Sequence, residues 1–169
     1  TLADGRVLVT AGEIGCDGLP PDGSFHPECV ATIPEIYNGA TNTWTQLATA
    51  SMAFPYYPHV FVLPDGRVLV SSTSEGSISS RVLDVNSQTW TIVDPIAVDG
   101  GSAAMYLPGK VIKSGTSTNP DNPSVSSSTA TRVLDMTQPT PAWRQTAPMS
   151  FPRVYHFLTL LPDGAVLAT

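Results

Sequence analysis

Charge is scarce in this chain. Asp, Glu, Lys and Arg make up 13% of its 169 residues, about half the share of an ordinary soluble domain. Only eight of them are basic against fourteen acidic, for a formal net charge of −6. So few cations form no stripe able to neutralise phosphates, which argues against nucleic acid as a partner and against anionic membrane surfaces. No apolar run approaches the roughly 20 residues of a membrane helix, and no long stretch is dominated by the strong helix formers. The Gly-x-Ser-x-Gly elbow, the phosphate-cradling Gly loop and the His-Glu-x-x-His zinc motif are all missing, so the reaction classes they mark find no support. Cysteine is limited to Cys16 and Cys29, which flank a loop rich in Gly and Pro. A disulfide closing that loop is the expectation, over two unpaired thiols, and it suits an extracellular protein. A metal pair fits less well, because His26 stands nearby but no second ligand pair follows at zinc-finger spacing. Thr1 to Thr10 carry Asp4 and Arg6 in a strand-turn-strand pattern and are not a secretory signal.

What the chain has in quantity is turn chemistry: 13 Gly and 16 Pro among abundant Ser and Thr, the mixture of short strands joined by frequent turns. Four segments share one pattern: Leu2-Ala3-Asp4-Gly5-Arg6-Val7-Leu8-Val9, Leu63-Pro64-Asp65-Gly66-Arg67-Val68-Leu69-Val70, Leu107-Pro108-Gly109-Lys110-Val111-Ile112 and Leu161-Pro162-Asp163-Gly164-Ala165-Val166-Leu167. Each places an Asp-Gly or Pro-Gly turn between two apolar runs, a hairpin signal. A second pattern interleaves with the first and forms outer hairpins. Ile36-Tyr37-Asn38 leads to Thr43-Trp44-Thr45, Val82-Leu83-Asp84-Val85 to Thr89-Trp90-Thr91, and Val133-Leu134-Asp135-Met136 to Ala142-Trp143-Arg144.

Register ties the two patterns into one unit. Trp44 precedes Gly66 by 22 residues, Trp90 precedes Gly109 by 19 and Trp143 precedes Gly164 by 21. The other leg varies, with insertions at the Cys16–Cys29 loop and between Ser114 and Thr131. Inner hairpin, outer hairpin and crossover repeat at about the kelch period of roughly 50 residues. One such unit cannot bury its faces alone, so units stack around an axis. The expected fold is all-β: a partial kelch-type β-propeller of stacked four-stranded antiparallel blades, in one domain over 1–169. Its units run roughly 1–56, 57–100 and 101–153, with an inner hairpin at 154–169. About three blades plus a remainder are fewer than a closed ring needs, so the chain reads as a piece of a longer parent whose remaining blades are its partners. Asp4, Asp65 and Asp163 are read as turn residues, and the three tryptophans as packing between blades.

In these units, and above all in Gly100-Gly101-Ser102-Ala103-Ala104-Met105-Tyr106 and Phe151-Pro152-Arg153-Val154-Tyr155-His156, the chain resembles the kelch propellers of galactose oxidase and bacterial glyoxal oxidase-like proteins. The resemblance covers essentially the whole chain. It implies a secreted, seven-bladed parent holding one copper through two tyrosines and two histidines, one tyrosine being cross-linked to a cysteine as a radical cofactor. Such a parent oxidises primary alcohols, aldehydes or carbohydrate substrates and reduces O2 to H2O2, while the isolated fragment is expected to be inactive and free of cofactor. Imidazole and phenolate suit Cu(II).

Under this resemblance Tyr155 and His156 are the copper candidates, with the other ligands outside the fragment. The competing reading makes them an axis-facing pair that shapes a pocket or packs the core. The family's copper strand has one more residue between its Tyr-His pair and the turn than separates His156 from Pro162, and one residue reverses the facing of a strand side chain. Tyr57 stands eight residues before Asp65, as Tyr155 does before Asp163. Convergence of His26, His59 and His156 is not expected, because they sit at different positions relative to the turns. Neither cysteine falls on an inner strand, so neither is assigned to the cofactor. The alternative function is a non-catalytic kelch propeller that binds carbohydrate or protein through its loops.

Overall fold

The computed structural model describes residues 1–15, 26–55, 57–74, 76–98, 101–115 and 127–169. Cys16, Tyr56, Gly100 and most of the insertion after Ser114 lie outside them. Among the described residues the only helices are single 3-10 turns at Pro27–Cys29 and Ala48–Ala50; neither is long or apolar enough to cross a membrane.

Four antiparallel sheets follow one another along the chain. The first joins β1 (Val7–Val9), β2 (Glu35–Asn38) and β3 (Thr43–Gln46) in that order. The second joins β4 (Pro58–Val62), β5 (Val68–Thr73), β6 (Ile78–Asp84) and β7 (Thr89–Val98). The third repeats that order with β8 (Ser102–Leu107), β9 (Lys110–Ser114), β10 (Thr131–Asp135) and β11 (Arg144–Gln145). The last is the hairpin of β12 (Leu158–Leu160) and β13 (Val166–Ala168). Each strand pairs with its sequence neighbour, and the sheets do not close into a ring. The fold is a partial β-propeller.

One turn builds three of the inner hairpins. The amide after each Asp-Gly pair donates to the Asp side chain, as in Arg6 to Asp4 (3.1 Å), Arg67 to Asp65 (3.0 Å) and Ala165 to Asp163 (2.9 Å). Gly5, Gly66 and Gly164 hold φ of 83° to 86°, the left-handed conformation that costs glycine least. Their amides donate back to Leu2, Leu63 and Leu161. The recurring aspartates are therefore structural, and the arginine after two of them folds back as an ion pair.

Successive sheets pack face to face. Leu2, Ile36, Leu47 and Ala50 of the first unit bury Val68 and Leu83 of the second. Leu63, Leu69, Val82 and Val98 of the second bury Val111, Leu134 and Trp143 of the third. β5 lies between the two layers, and all six of its residues are buried. Two tryptophans fasten these layers with their ring N–H groups: Trp90 donates to the Ala50 carbonyl (2.8 Å) and Trp143 to the Ser80 hydroxyl (2.7 Å). Trp90 also meets Phe54 edge to face at 5.1 Å, an arrangement aromatic quadrupoles favour. Trp44 departs from the expectation. It is 56% exposed and stacks on Tyr37 of its own sheet at 5.1 Å, because no described element covers that face.

Candidate functional site

The starts of three successive innermost strands converge on one cavity of about 460 Å3. Tyr57 and His59 come from the start of β4, Ser102 and Ala103 from the start of β8, and Tyr155 to Leu158 from the approach to β12; Ser74 and Gly101 complete the wall.

Tyr155 and His156 both line this cavity, beside Tyr57 and His59. The structure thus gathers two phenols and two imidazoles. The facing argument from strand register does not reach the Tyr-His pair, because the ladder of β12 begins only at Leu158. Tyr155 sits ahead of it with φ of 54°, and Tyr57 ahead of the β4 ladder with φ of 56°. A left-handed bulky residue is uncommon, and its recurrence at equivalent places shows a kink built into the repeat. His59 and His156 both reach the cavity despite unequal distances from their turns: one lies on a strand and the other on a lead-in. His26 stays apart, beside Glu28 at 3.3 Å.

Serines hold both cavity histidines. His59 Nδ1 lies 2.9 Å from Ser72 Oγ, its cross-strand partner, and His59 Nε2 lies 3.2 Å from Ser74 Oγ. His156 Nε2 reaches back to Ser114 of the preceding blade at 2.8 Å, whereas its Nδ1 is buried with no hydrogen-bond partner. Behind them Lys113 is 3% exposed and donates to the Gly115 carbonyl at 3.1 Å. Burial first, then the charge of Lys113, then His156, pull the His59 pKa down to about 4. Burial, then Arg153 and Lys113, also lower that of His156. At neutral pH the cavity therefore presents neutral imidazoles.

This has a consequence for stability. His59 is more basic unfolded, near 6.5, than folded, near 4, so below pH 6.5 the unfolded chain takes up the extra proton. Stability is fully present above pH 6.5 and falls as pH drops towards 4, by about 3 kcal/mol in all at roughly 1.4 kcal/mol per unit. Urea unfolding from pH 7 to 4 should show this slope, and His59→Gln should flatten it. An unchanged slope in the variant would mean that His59 titrates normally.

The serines and Lys113 were not legible as site residues. A signal existed: five residues beyond each turn glycine stands a hydroxyl, at Thr10, Ser71, Ser114 and Thr169. Ser114 binds His156, and Ser71 donates to the His59 carbonyl at 3.4 Å. Cys29, half of the expected disulfide, is buried at the end of its 3-10 turn; the pairing itself falls outside the described residues with Cys16. Among the described residues no three His, Cys, Asp or Glu side chains cluster as a metal site.

No family model and no curated protein sequence matches the chain. Solved structures do. Over 98% of its length the chain superimposes on a fungal alcohol oxidase of the AA5 family, solved in complex with copper, with TM-score 0.66 and 17% identity, and it spans 35% of that protein. It superimposes on YjhT over 96% of its length, with TM-score 0.65 and 17% identity, spanning 55% of that chain. At this identity the likeness is one of fold, a partial β-propeller, and the chain spans about a third to just over half the length of these neighbours.

Proposed function

We propose that the chain is a propeller segment of a secreted copper-radical oxidase of the galactose oxidase and glyoxal oxidase kind, acting on primary alcohols or aldehydes with O2 to give H2O2. The observation that carries this reading is the donor set of the cavity. Tyr57, His59, Tyr155 and His156 share one wall, and His156 keeps a buried Nδ1 without a partner while Ser114 holds its Nε2. An outer hydrogen bond on one ring nitrogen is how a ligating imidazole is oriented, and the lowered pKa leaves it in the ligating form. Phenolate and imidazole are donor types that suit copper. Tyr155 and His156 would hold it together with ligands from the rest of the parent, and copper paired with a tyrosine radical supplies two-electron oxidation without an organic cofactor. Around it, Ser114 fixes the His156 ring, and Phe157 and Leu158 line the cavity with apolar surface.

A second reading is favoured by His59, whose two ring nitrogens are both taken by serines. On that reading the parent is a binding propeller whose cavity accepts an uncharged, hydroxyl-bearing ligand between Tyr57 and Tyr155. One experiment separates the two. The full-length parent, isolated from the medium and reconstituted with copper, is assayed for metal content and for peroxide release on primary alcohols and aldehydes. The oxidase reading expects about one copper per chain and peroxide, with Tyr155→Phe lowering copper retention by ten-fold or more. Neither copper nor peroxide leaves the binding propeller. Thiol titration of the same sample, expected to find neither Cys16 nor Cys29 free, tests the disulfide and with it the extracellular assignment.

A further inference from the structure

The two tyrosines of the cavity share a feature that packing does not require. Tyr57 and Tyr155 stand at equivalent places ahead of β4 and β12, each left-handed, with φ of 56° and 54°. That conformation is costly for a bulky residue. Burial of the ring does not offset the cost, because Tyr57 is 71% exposed and Tyr155 49%. Nor is the exposure of Tyr57 an edge effect: its sheet is covered on one face by the first unit and on the other by the third. The kink thus presents the Tyr57 ring to the cavity, and Phe157 forms part of the same wall. The main chain anchors Phe157 there, its amide and its carbonyl each pairing with Thr169 at 3.1 Å.

The polar groups of the wall are mostly spent on one another. Ser72 Oγ lies 2.9 Å from His59 Nδ1 and Ser74 Oγ 3.2 Å from His59 Nε2. Gly101 donates its amide to the Ser74 carbonyl at 3.3 Å, and His156 Nε2 lies 2.8 Å from Ser114 Oγ. The Ser102 hydroxyl accepts the Leu158 amide at 3.1 Å and keeps a proton to donate. No Asp, Glu, Asn, Gln, Lys or Arg stands among the described residues of the lining. A sugar entering this wall would give up water at several hydroxyls and find few partners in return, which is unfavourable. A planar ring with one oxygen asks for a single partner and for aromatic faces, and the wall holds both. The volume of about 460 Å3 lies within the roughly 300–1,000 Å3 of small-molecule sites.

We infer that the cavity selects an aromatic ligand carrying a single oxygen function, a benzylic alcohol or an aryl aldehyde, and that Tyr57 and Phe157 recognise its ring. The inference deepens the proposed function and rests on it only for the fate of that oxygen; recognition of the ring involves no copper. Tyr155, which holds the metal in the oxidase, is left out of the recognition pair. Aromatic rings that meet edge to face or offset gain more than their buried area alone supplies, so the cavity discriminates a ring from a saturated group of the same bulk.

Binding is measured apart from turnover. Full-length parent, kept free of O2, is titrated in a calorimeter with 4-fluorobenzyl alcohol, cyclohexylmethanol and galactose. The arene is expected to bind, with cyclohexylmethanol about five- to ten-fold weaker for want of ring contacts and galactose weaker still. Tyr57→Leu and Phe157→Leu keep apolar bulk and remove the ring. Each should weaken the arene about five- to ten-fold while leaving cyclohexylmethanol unchanged, and Tyr57→Phe should hold the arene within about two-fold. A merely structural role would move both ligands alike. Galactose or cyclohexylmethanol binding as tightly as the arene, an arene affinity unchanged in both leucine variants, or no binding of the arene would overturn the inference. The copper and peroxide assay tells the two failures apart. A parent without copper or peroxide that still prefers the arene loses the oxidase and keeps the arene site; one that releases peroxide from galactose and ignores the arene does the reverse.

Discussion

Asp94→Ala is expected to destabilise the chain by about 3 kcal/mol. Asp94 lies in β7, is 2% exposed, and accepts two backbone N–H groups: that of Trp143 in the next blade at 2.8 Å and that of Ile96 at 2.9 Å. A hydrogen bond to a charged group contributes about 1.5–3 kcal/mol, and stranding a buried donor costs about 1–3 kcal/mol more. The loss is confined to one joint, because Trp143 keeps its second tether to Ser80, whose hydroxyl passes a hydrogen bond on to the Ser71 carbonyl at 2.6 Å. Asp94→Asn retains an acceptor for one N–H but turns an amide NH2 towards the other, so it should fall between wild type and alanine. Urea denaturation with both variants is the measurement. Equal stability of wild type and Asp94→Ala would show that the carboxylate is not holding the two blades together.

Gly101→Ala is the second large effect, expected at about 3 kcal/mol or more. Gly101 has φ of 118°, and a methyl group there would collide with the Ser114 and Gly115 carbonyl oxygens and the Gly115 carbonyl carbon. Backbone atoms cannot swing aside as a side-chain tip can, and the left-handed conformation adds its own strain. Because Ser114 also holds His156, the cavity should deform together with the loss of stability. Gly66→Ala is the control. It shares a positive φ, 86°, but has nothing within 4 Å of the added carbon, leaving a conformational cost of about 1–2 kcal/mol. If the two variants lose the same stability in the same denaturation series, the collision at Gly101 is not real.

These two residues also show where sequence reading stops. The Leu-x-Asp-Gly turns and the one-per-unit tryptophans were legible because they are local: a turn is fixed by neighbouring residues, and repetition announces the sheet. Tyr155 and His156 were legible as a pair, and Tyr57 as the equivalent of Tyr155, for the same reason. The left-handed kinks before β4 and β12 were not, since nothing in a tyrosine signals a positive φ. Neither were the serines on His59 and His156, ordinary residues whose role depends on which blade lies next to which. Asp94 resembles any polar residue ahead of a proline until Trp143 is brought to it from 49 positions away.

The acceptors of the two buried indoles bear on how such a chain changes over generations. Trp90 is met by a main-chain oxygen, which every residue type supplies, and Trp143 by a serine hydroxyl. Where the acceptor is main chain, as for Trp90, a joint whose donor travels with each copied unit tolerates duplication followed by wide drift. Two partners do not have to mutate in step. Within the chain, the spacing of turns and tryptophans marks the repeat even where the residues between them differ from unit to unit.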